Sequence, residues 1–238
     1  MSETKTILIT GATSGIGQAS AMYLRETGYR LVLVGRNREK TAEVSESLGN
    51  MPFVIADLED IAAIASIFEF CRNEQIQLDG MVHAAGCVIN VPARSFRTED
   101  MEKQIRLHYY AFLELSKAFY SRKVSNDGAS IVAISSLASL TKLKGSLLYA
   151  GSKSALNAAV SVLAKEFSGR SIRVNGLLPA YVSTRMTEGL EELIDVREKQ
   201  PLGMIPPRNI AELVELLLSD KSKYITGALI PVSAGMEF

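Results

Sequence analysis

The sequence predicts an α/β fold with a parallel, doubly wound sheet, and three observations support that prediction. Short aliphatic and β-branched runs alternate with helix-patterned segments along the whole chain. The 238 residues are 47% hydrophobic, enough to bury a sizeable core and few enough for one domain. No internal repeat, low-complexity segment or linker interrupts the alternation. We therefore expect a single domain over residues 1–238, with right-handed crossovers that place helices on both faces of the sheet.

The composition argues against several classes of protein. Lys plus Arg and Asp plus Glu number 26 each, so the formal net charge is zero, which disfavours binding to nucleic acid or anionic membranes. Apolar runs such as Ile131–Ile134 are far shorter than the roughly 20 residues of a transmembrane helix. The start MSETKTILIT has no signal-peptide pattern, so we expect a soluble cytoplasmic protein. Cys71 and Cys87 are too few for a disulfide framework or a zinc site, and we expect buried free thiols and no metal.

The first predicted unit is a strand, a tight turn and a helix within Lys5–Leu24. The run Thr6–Thr10 meets glycines at positions 11, 15 and 17 and passes into a helix-favouring segment. Glycine permits backbone angles that a side chain forbids and lets a ligand approach the backbone. A helix that starts near Gly15 points free amides and a positive dipole end into the turn, where a pyrophosphate would fit. The GxxxGxG spacing differs from the usual GxGxxG fingerprint, so an ordinary βα turn is the alternative for this motif alone.

Strands and helices then follow in alternation. Aliphatic runs predict strands at 30–35, 52–56, 80–84, 130–135, 172–178 and 228–232. Apolar residues at helical spacing predict helices at 37–49, 58–74, 99–123, 148–167 and 210–219. The helix at 99–123 carries one apolar stripe, made of Met101, Ile105, His108, Phe112, Leu115 and Phe119. The Pro- and Gly-containing segment Ser183–Asn209 is interpreted as a mobile substrate lid, and a plain surface excursion is equally well supported.

Tyr149 and Lys153 are four residues apart at the start of a predicted helix, so both side chains project from one face. Lowering the pKa of a tyrosine from about 10 to near 7 costs about 4 kcal/mol. An ammonium roughly 5 Å away contributes on the order of 3 kcal/mol at an effective dielectric of about 20. The pair therefore suits acid/base catalysis, with Lys153 supplying most of the shift. A surface tyrosine beside a solvated lysine is the alternative for the pair taken alone.

Ser136 ends the preceding strand, thirteen residues before Tyr149. Both positions open at the carboxyl edge of a parallel sheet, so we expect the two hydroxyls to hold one carbonyl oxygen between them. Consecutive strand side chains point to opposite faces, and therefore only one of Ser135 and Ser136 should face the substrate. The thirteen-residue spacing favours Ser136.

Four stretches, in this order, resemble the classical short-chain dehydrogenase/reductase family: TGATSGIG at Thr10–Gly17, HAAG at His83–Gly86, Ser136, and YAGSK at Tyr149–Lys153. The resemblance covers essentially the whole chain. It implies a single-domain Rossmann fold with a mostly parallel seven-stranded sheet, and nicotinamide-dependent hydride transfer between an alcohol and a carbonyl. It also implies that Tyr149 is the acid/base, that Lys153 lowers its pKa and holds the nicotinamide ribose, and that Ser136 orients the substrate.

The same resemblance implies which residues bind the cofactor. In RVNGLLPAYVST, Asn175, Pro179 and Thr184 match the family's Asn-x-x-x-Pro-Gly-x-Val-x-Thr segment. Val182 and Thr184 would contact the nicotinamide carboxamide, and Asp57 would meet the adenine. The expected cofactor-binding residues are Gly11, Thr13, Ser14, Gly15, Ile16, Gly17, Arg36, Asp57, Leu58, Ala85, Gly86, Tyr149, Lys153, Pro179, Val182 and Thr184.

The chain departs from the family's pattern at three positions. His83 stands where the family usually has asparagine, and we expect it to hydrogen-bond neighbouring backbone. His108 falls on the helix asparagine that holds a water of the family's proton relay. It either brings a titratable group into that relay or is a satisfied core histidine, and the two interpretations are equally supported. Ala180 replaces the glycine after Pro179 and slightly narrows the nicotinamide pocket.

The end of the second strand indicates the choice of cofactor. NAD enzymes of this architecture place an acid there to accept the ribose hydroxyls. This chain has Gly35-Arg36-Asn37, with a guanidinium and no carboxylate. Arginine pairs well with phosphate, so we predict that NADP(H) is preferred over NAD(H). A merely solvated Arg36 is the alternative.

The leading hypothesis is an NADPH-dependent carbonyl reductase, with a 3-oxoacyl-thioester (acyl carrier protein) reductase as one specific role. A non-catalytic nicotinamide-binding regulator or scaffold is the alternative, disfavoured because Ser136, Tyr149 and Lys153 are all retained. A sugar epimerase or dehydratase is disfavoured by the short chain, which has no substrate domain. The resemblance also implies a homodimer or homotetramer through the helices at 99–123 and 148–167. The substrate depends on the loops at 87–98, 137–148 and 183–209, which show no diagnostic ligand set.

Overall fold

The protein is built on one seven-stranded sheet, seen in a computed structural model that describes residues 4–141, 143–189 and 195–238. The strand order is β3-β2-β1-β4-β5-β6-β7, and every neighbouring pair is parallel. The strands are β1 Thr6–Thr10, β2 Arg30–Gly35, β3 Phe53–Ile55, β4 Leu78–His83, β5 Ser125–Ile134, β6 Arg173–Pro179 and β7 Leu229–Val232. The predicted parallel sheet of seven strands is confirmed.

Helices cover both faces of this sheet. They are α1 Gly15–Glu26, α2 Arg38–Ser47, α3 Ile64–Asn73, α4 Thr98–Ile105, α5 Ala111–Phe119, α6 Ala138–Thr141, α7 Leu147–Glu166, α8 Val196–Lys199 and α9 Pro207–Leu218. Alternation along β1 shows the two layers, because Leu8 packs in one core cluster and Ile7 and Ile9 in the other. The first cluster contains side chains of α3, α5 and α7, and the second contains side chains of α1, α2 and α9. The doubly wound arrangement is therefore confirmed.

The predicted helix at 99–123 is the main difference. A π-helical segment, Arg106–Tyr110, joins α4 to α5, and the helix ends at Phe119. A π turn inserts one extra residue into the helical repeat and shifts the face that follows. Met101, predicted to lie on the buried stripe, is 43% exposed, and Gln104 is buried instead. The later stripe positions, from His108 to Phe119, are buried as predicted.

The predicted lid, Ser183–Asn209, is described except for residues 190–194. The Ser183 N–H donates to the Ile205 carbonyl and the Ile205 N–H donates to the Tyr181 carbonyl, both at 2.9 Å. The buried Gln200 side chain accepts from the Tyr181 N–H at 2.9 Å and donates to the Tyr181 carbonyl at 3.0 Å. These bonds fix the base of the segment, and its action as a lid stays a prediction.

Candidate active site

A cleft of about 1050 Å³ opens at the carboxyl edge of the sheet, where β1 lies between β2 and β4 and the strand order reverses. In open α/β sheets, ligands bind at such a switch point. Of the residues predicted for the site, only Gly17 does not line this cleft. Those that do are Gly11, Thr13, Ser14, Gly15, Ile16, Arg36, Asp57, Leu58, Ala85, Gly86, His108, Ser136, Tyr149, Lys153, Pro179, Val182 and Thr184.

The glycine turn has its shape because two backbone segments touch. Gly11 has φ +68°, and a Cβ there would lie 2.7 Å from the Ala85 nitrogen on the neighbouring loop. A Cβ on Gly17 would lie 2.2 Å from the Gly11 carbonyl oxygen, so Gly17 supports the turn from beneath. Gly15 has φ +53° and starts α1 at the cleft. The unpaired first-turn amides of α1 consequently belong to the cleft, as an anion site requires.

Ser136 and Tyr149 both line the cleft. The Ser136 Oγ accepts a hydrogen bond from the Ala138 N–H at 3.1 Å. The Ser135 hydroxyl is used elsewhere, since it donates to the Asn157 Oδ1 on α7 at 2.6 Å. Both serines line the cleft, and the choice of Ser136 over Ser135 for the substrate stays a prediction.

Lys153 is buried against the end of β5. Its Nζ donates to the Ile134 carbonyl at 2.9 Å and lies 5.9 Å from the centre of the Tyr149 ring. Burial lowers the pKa of Lys153 from 10.5 to about 8. Burial also raises the pKa of Tyr149, and the interaction with the Ser136 hydroxyl offsets this only in part. The sequence led us to expect Lys153 to lower the pKa of Tyr149, but in the protein alone desolvation of the phenol outweighs other effects.

His108 is hydrogen-bonded at both ring nitrogens. Its Nε2 lies 3.1 Å from the Cys87 N–H, and its Nδ1 lies 2.8 Å from the Ser152 Oγ. Burial and the nearby charge of Lys153 hold the pKa of His108 far below its usual range. The ring contacts Tyr149 edge-on, with centroids 5.7 Å apart. The contacts thus favour the satisfied core histidine, although the ring borders the cleft.

His83 pairs with a side chain rather than with the expected backbone. Its Nδ1 lies 3.1 Å from the Thr10 Oγ1, which also accepts the Ala85 N–H at 3.3 Å. Thr10 therefore ties the end of β1 to the loop that follows β4. Burial, followed by the charge of Lys153, lowers the pKa of His83 from 6.5 to about 3.

The residues of β6 and of the segment that follows it have two functions, support and cleft lining. Asn175 in β6 is away from the cleft lining and holds the segment before β7, since its side chain donates to the Ile225 carbonyl at 2.8 Å and accepts the Ala228 N–H at 3.0 Å. Ala180 borders the cleft, as the departure from the family's glycine predicted, and its N–H donates to the Val232 carbonyl at 3.0 Å.

Charged groups gather at the far end of the cleft, beyond the carboxyl end of β2. Arg36, Lys40, Asp57, Glu59 and Lys103 all line this end. Sequence reasoning missed Lys40, Glu59 and Lys103. Lys40 is in the first turn of α2, four residues after Arg36, a spacing visible in the sequence. Lys103 lies on α4, and no local pattern in the sequence connects it with Arg36.

A dinucleotide fits the donors of this cleft. The α1 amides suit a pyrophosphate, and the cations near β2 suit a further anionic group. No three His, Cys, Asp or Glu side chains that could share a metal ion lie together among residues 4–141, 143–189 and 195–238. Within those same ranges, no helix is both long and apolar enough to cross a bilayer.

Comparison with known proteins gives consistent matches over nearly the full chain. Residues 11–237 match a family model described as enoyl-(acyl carrier protein) reductase. The 3-oxoacyl-(acyl-carrier-protein) reductase of Rickettsia conorii is 32% identical, over 98% of this chain and 96% of that protein. A short-chain type dehydrogenase/reductase from Mycobacterium ulcerans superposes with TM-score 0.90 at 26% identity, covering 97% of this chain and 89% of that one. A 4-hydroxyisoleucine dehydrogenase complexed with NADH superposes with TM-score 0.90 at 27% identity, covering 97% of this chain and 98% of that one.

Proposed function

Because the chain belongs to the short-chain dehydrogenase/reductase family of oxidoreductases, we propose that it is an NADPH-dependent reductase of carbonyl compounds. The observation that carries the proposal is the convergence of Ser136, Tyr149 and Lys153 on one cleft whose far end presents Arg36 and Lys40. Similarity to a 3-oxoacyl-(acyl-carrier-protein) reductase supports a 3-oxoacyl thioester as the substrate class.

In the proposed reaction, a bound nicotinamide supplies the hydride and a side chain of the protein donates the proton. The Ser136 and Tyr149 hydroxyls hold the substrate oxygen, and Tyr149 donates its proton as negative charge develops there. The raised pKa of Tyr149 keeps the phenol protonated at neutral pH, which suits an acid in the reductive direction. The Lys153 ammonium then stabilises the phenolate that remains. The cleft also has apolar lining residues that could contact an acyl chain, among them Leu137, Leu143 and Met186.

The test is NADPH oxidation by the purified protein with 3-oxoacyl thioesters and simple ketones. Tyr149→Phe should lower turnover by about 10²-fold or more, because general acid catalysis contributes about 10²–10⁴-fold. NADPH binding should survive, since the ring is kept. A wild type that binds NADPH but oxidises it with none of these substrates would favour the non-catalytic regulator or scaffold.

Cofactor preference is tested separately with Arg36. We expect a lower Michaelis constant for NADPH than for NADH in the wild type, and a loss of this preference in Arg36→Ala, because the guanidinium pairs with the extra phosphate. The NADP(H) assignment would be refuted if the wild type preferred NADH, or if the Michaelis constant for NADPH were the same in Arg36→Ala as in the wild type.

We also propose a homodimer or homotetramer through α5 and α7. Val162 on α7 is 53% exposed and Tyr110, just before α5, is 44% exposed in the single chain, which is apolar surface that a second copy can cover. Light scattering coupled to size-exclusion chromatography measures the mass directly, and a monomer across micromolar concentrations would contradict this assembly.

A further inference from the structure

Three charged side chains meet across the far end of the cleft. A single carboxylate oxygen, Glu59 Oε1, lies 3.8 Å from the Arg36 Nη1 and 3.7 Å from the Lys103 Nζ. Arg36 follows β2, Glu59 follows β3 and Lys103 lies on α4, so the contacts join three separate elements. We refer to these residues as the Glu59 cluster, and all of them line the cleft.

The cations of the Glu59 cluster are more exposed and more weakly held than the turn that carries the carboxylate. Both separations exceed the roughly 2.7–3.2 Å of an N–H···O hydrogen bond. The Arg36 and Lys103 side chains are 70% and 45% exposed, and exposed ion pairs of this kind contribute little free energy. The Glu59 side chain is only 27% exposed, and its own N–H donates to the Asp57 Oδ1 at 3.0 Å, which fixes the turn that carries it.

A phosphate is a stronger partner for Arg36 than Glu59 is. A phosphomonoester carries a charge of about −1.5 to −2 near neutral pH and accepts paired hydrogen bonds from a guanidinium. Lys40 adds a further positive charge at the same end of the cleft. A ribose with an unmodified 2′-hydroxyl offers no such anion, and so it leaves the contact between Arg36 and Glu59 in place.

We infer that Glu59 competes with the 2′-phosphate of NADP(H) for Arg36, so that this carboxylate limits the affinity for NADPH without affecting NADH. The inference rests on the proposed NADP(H) specificity and adds a residue that tunes it. Glu59 is a specificity-determining residue in this scheme and takes no part in hydride or proton transfer.

The experiment measures dissociation constants for NADPH and NADH without substrate, from the fluorescence of the bound dihydronicotinamide. Glu59→Gln keeps the side-chain shape and removes the charge. It should lower the NADPH dissociation constant at least threefold and leave that for NADH within twofold. Glu43→Gln, which removes an exposed carboxylate on α2 away from the cleft lining, is the matched control and should change neither constant.

The double variant Arg36→Ala/Glu59→Gln tests whether Glu59 acts through Arg36. Compared with Arg36→Ala alone, it should show no gain in NADPH affinity. A gain as large as that in the wild-type background would mean that Glu59 repels the phosphate directly and would overturn the competition. If the wild type prefers NADPH but Glu59→Gln binds it no better, this inference fails and the proposed function stands. If the wild type prefers NADH, the proposed cofactor specificity fails and the inference fails with it.

Discussion

His108 has one protonation state that satisfies all its neighbours. Its Nε2 accepts the Cys87 N–H, so the proton must be on Nδ1, which donates to the Ser152 Oγ. The Ser152 hydroxyl in turn donates to the Tyr149 carbonyl at 2.9 Å. This chain of bonds holds the start of α7 to the loop after β4. Because its pKa lies far below the usual range, the ring stays neutral at physiological pH.

Replacing His108 should therefore affect stability more than pH dependence. In His108→Asn we expect the pH profile of kcat between pH 5.5 and 8 to be unchanged, since the wild-type ring does not titrate there. The free energy of unfolding should fall by about 1–3 kcal/mol, because buried groups lose a partner. Ser152→Ala, which breaks the next bond of the chain, is the companion variant. A kinetic inflection near pH 6.5 that is present in the wild type and lost in His108→Asn would restore the histidine to the proton relay.

At this scale, short-range spacing predicted which side chains lie together. Helical spacing placed Tyr149 beside Lys153, and in the structure both line the cleft with the Lys153 Nζ 5.9 Å from the centre of the Tyr149 ring. The partners of His108 are 21 and 44 residues away in the chain, and no local pattern brings them together. The contact between Glu59 and Lys103 could not be predicted from the sequence for the same reason. It joins a loop to a helix that is distant in the chain and becomes a neighbour only in the folded protein.

Among the elements, the strand-turn-helix unit at β1 and α1 depends on glycines for reasons internal to the protein. Gly11 and Gly17 leave room for backbone, and only Gly15 faces outward, towards Thr184, whose Cγ2 would be 3.3 Å from an added Cβ. The sequence had suggested that these glycines leave room for a ligand. In the structure, Gly11 and Gly17 instead make room for contacts within the protein, between the turn and the loop after β4 and within the turn itself.

Gly17→Ala should consequently be severely destabilising. Its Cβ would lie 2.2 Å from the Gly11 carbonyl oxygen, and the turn cannot move without opening the contact to Ala85. We expect a loss of roughly 1–3 kcal/mol in the free energy of unfolding, as for other overpacked sites. Gly151→Ala on α7 is the control, since nothing lies within 4 Å of its Cβ and alanine favours a helix by about 1 kcal/mol. Chemical denaturation of both variants checks this, and equal midpoints would contradict it.

The helix around His108 shows why the sequence did not predict the π segment or the end of the helix. The apolar spacing from 99 to 123 fits one regular helix, and a π turn has no local signature in it. A Cβ on Gly86 would lie only 3.1 Å from the His108 Nε2, so the ring is pressed against the loop after β4. The π segment accompanies this tertiary contact, and local helix propensity cannot predict either of them.

For the whole molecule, two buried neutral histidines make stability depend on pH. The pKa of His83 is about 3 in the folded protein against 6.5 ordinarily, and that of His108 is shifted in the same direction. Below pH 6.5 the unfolded chain therefore binds protons that the folded protein does not. The free energy of unfolding must fall as the pH drops through 6.5 towards 3, and from about one pH unit above 6.5 these groups add no dependence.

For His83 alone, the expected loss between pH 7.5 and pH 5 is about 2 kcal/mol, because the slope approaches about 1.4 kcal/mol per pH unit below pH 6.5. Urea unfolding at pH 7.5, 6.5 and 5 measures it, and this range stays above the titration of most carboxylates. His83→Asn should show a shallower decline than the wild type, whatever its stability at pH 7.5. Parallel declines in the two proteins would show that His83 is not the cause.

The strand order that creates the cleft also determines when, during synthesis, the two neighbours of β1 become available. Thr10 on β1 meets His83 on β4, 73 residues later in the chain. Ribosomes add about 5–20 residues per second, so β1 exists for roughly 4–15 s before its second neighbour has been synthesised. During that interval Ile7, Leu8 and Ile9, fully buried in the finished sheet, border an unpaired edge. Until β4 is available, this edge of β1 can pair with a strand of another chain.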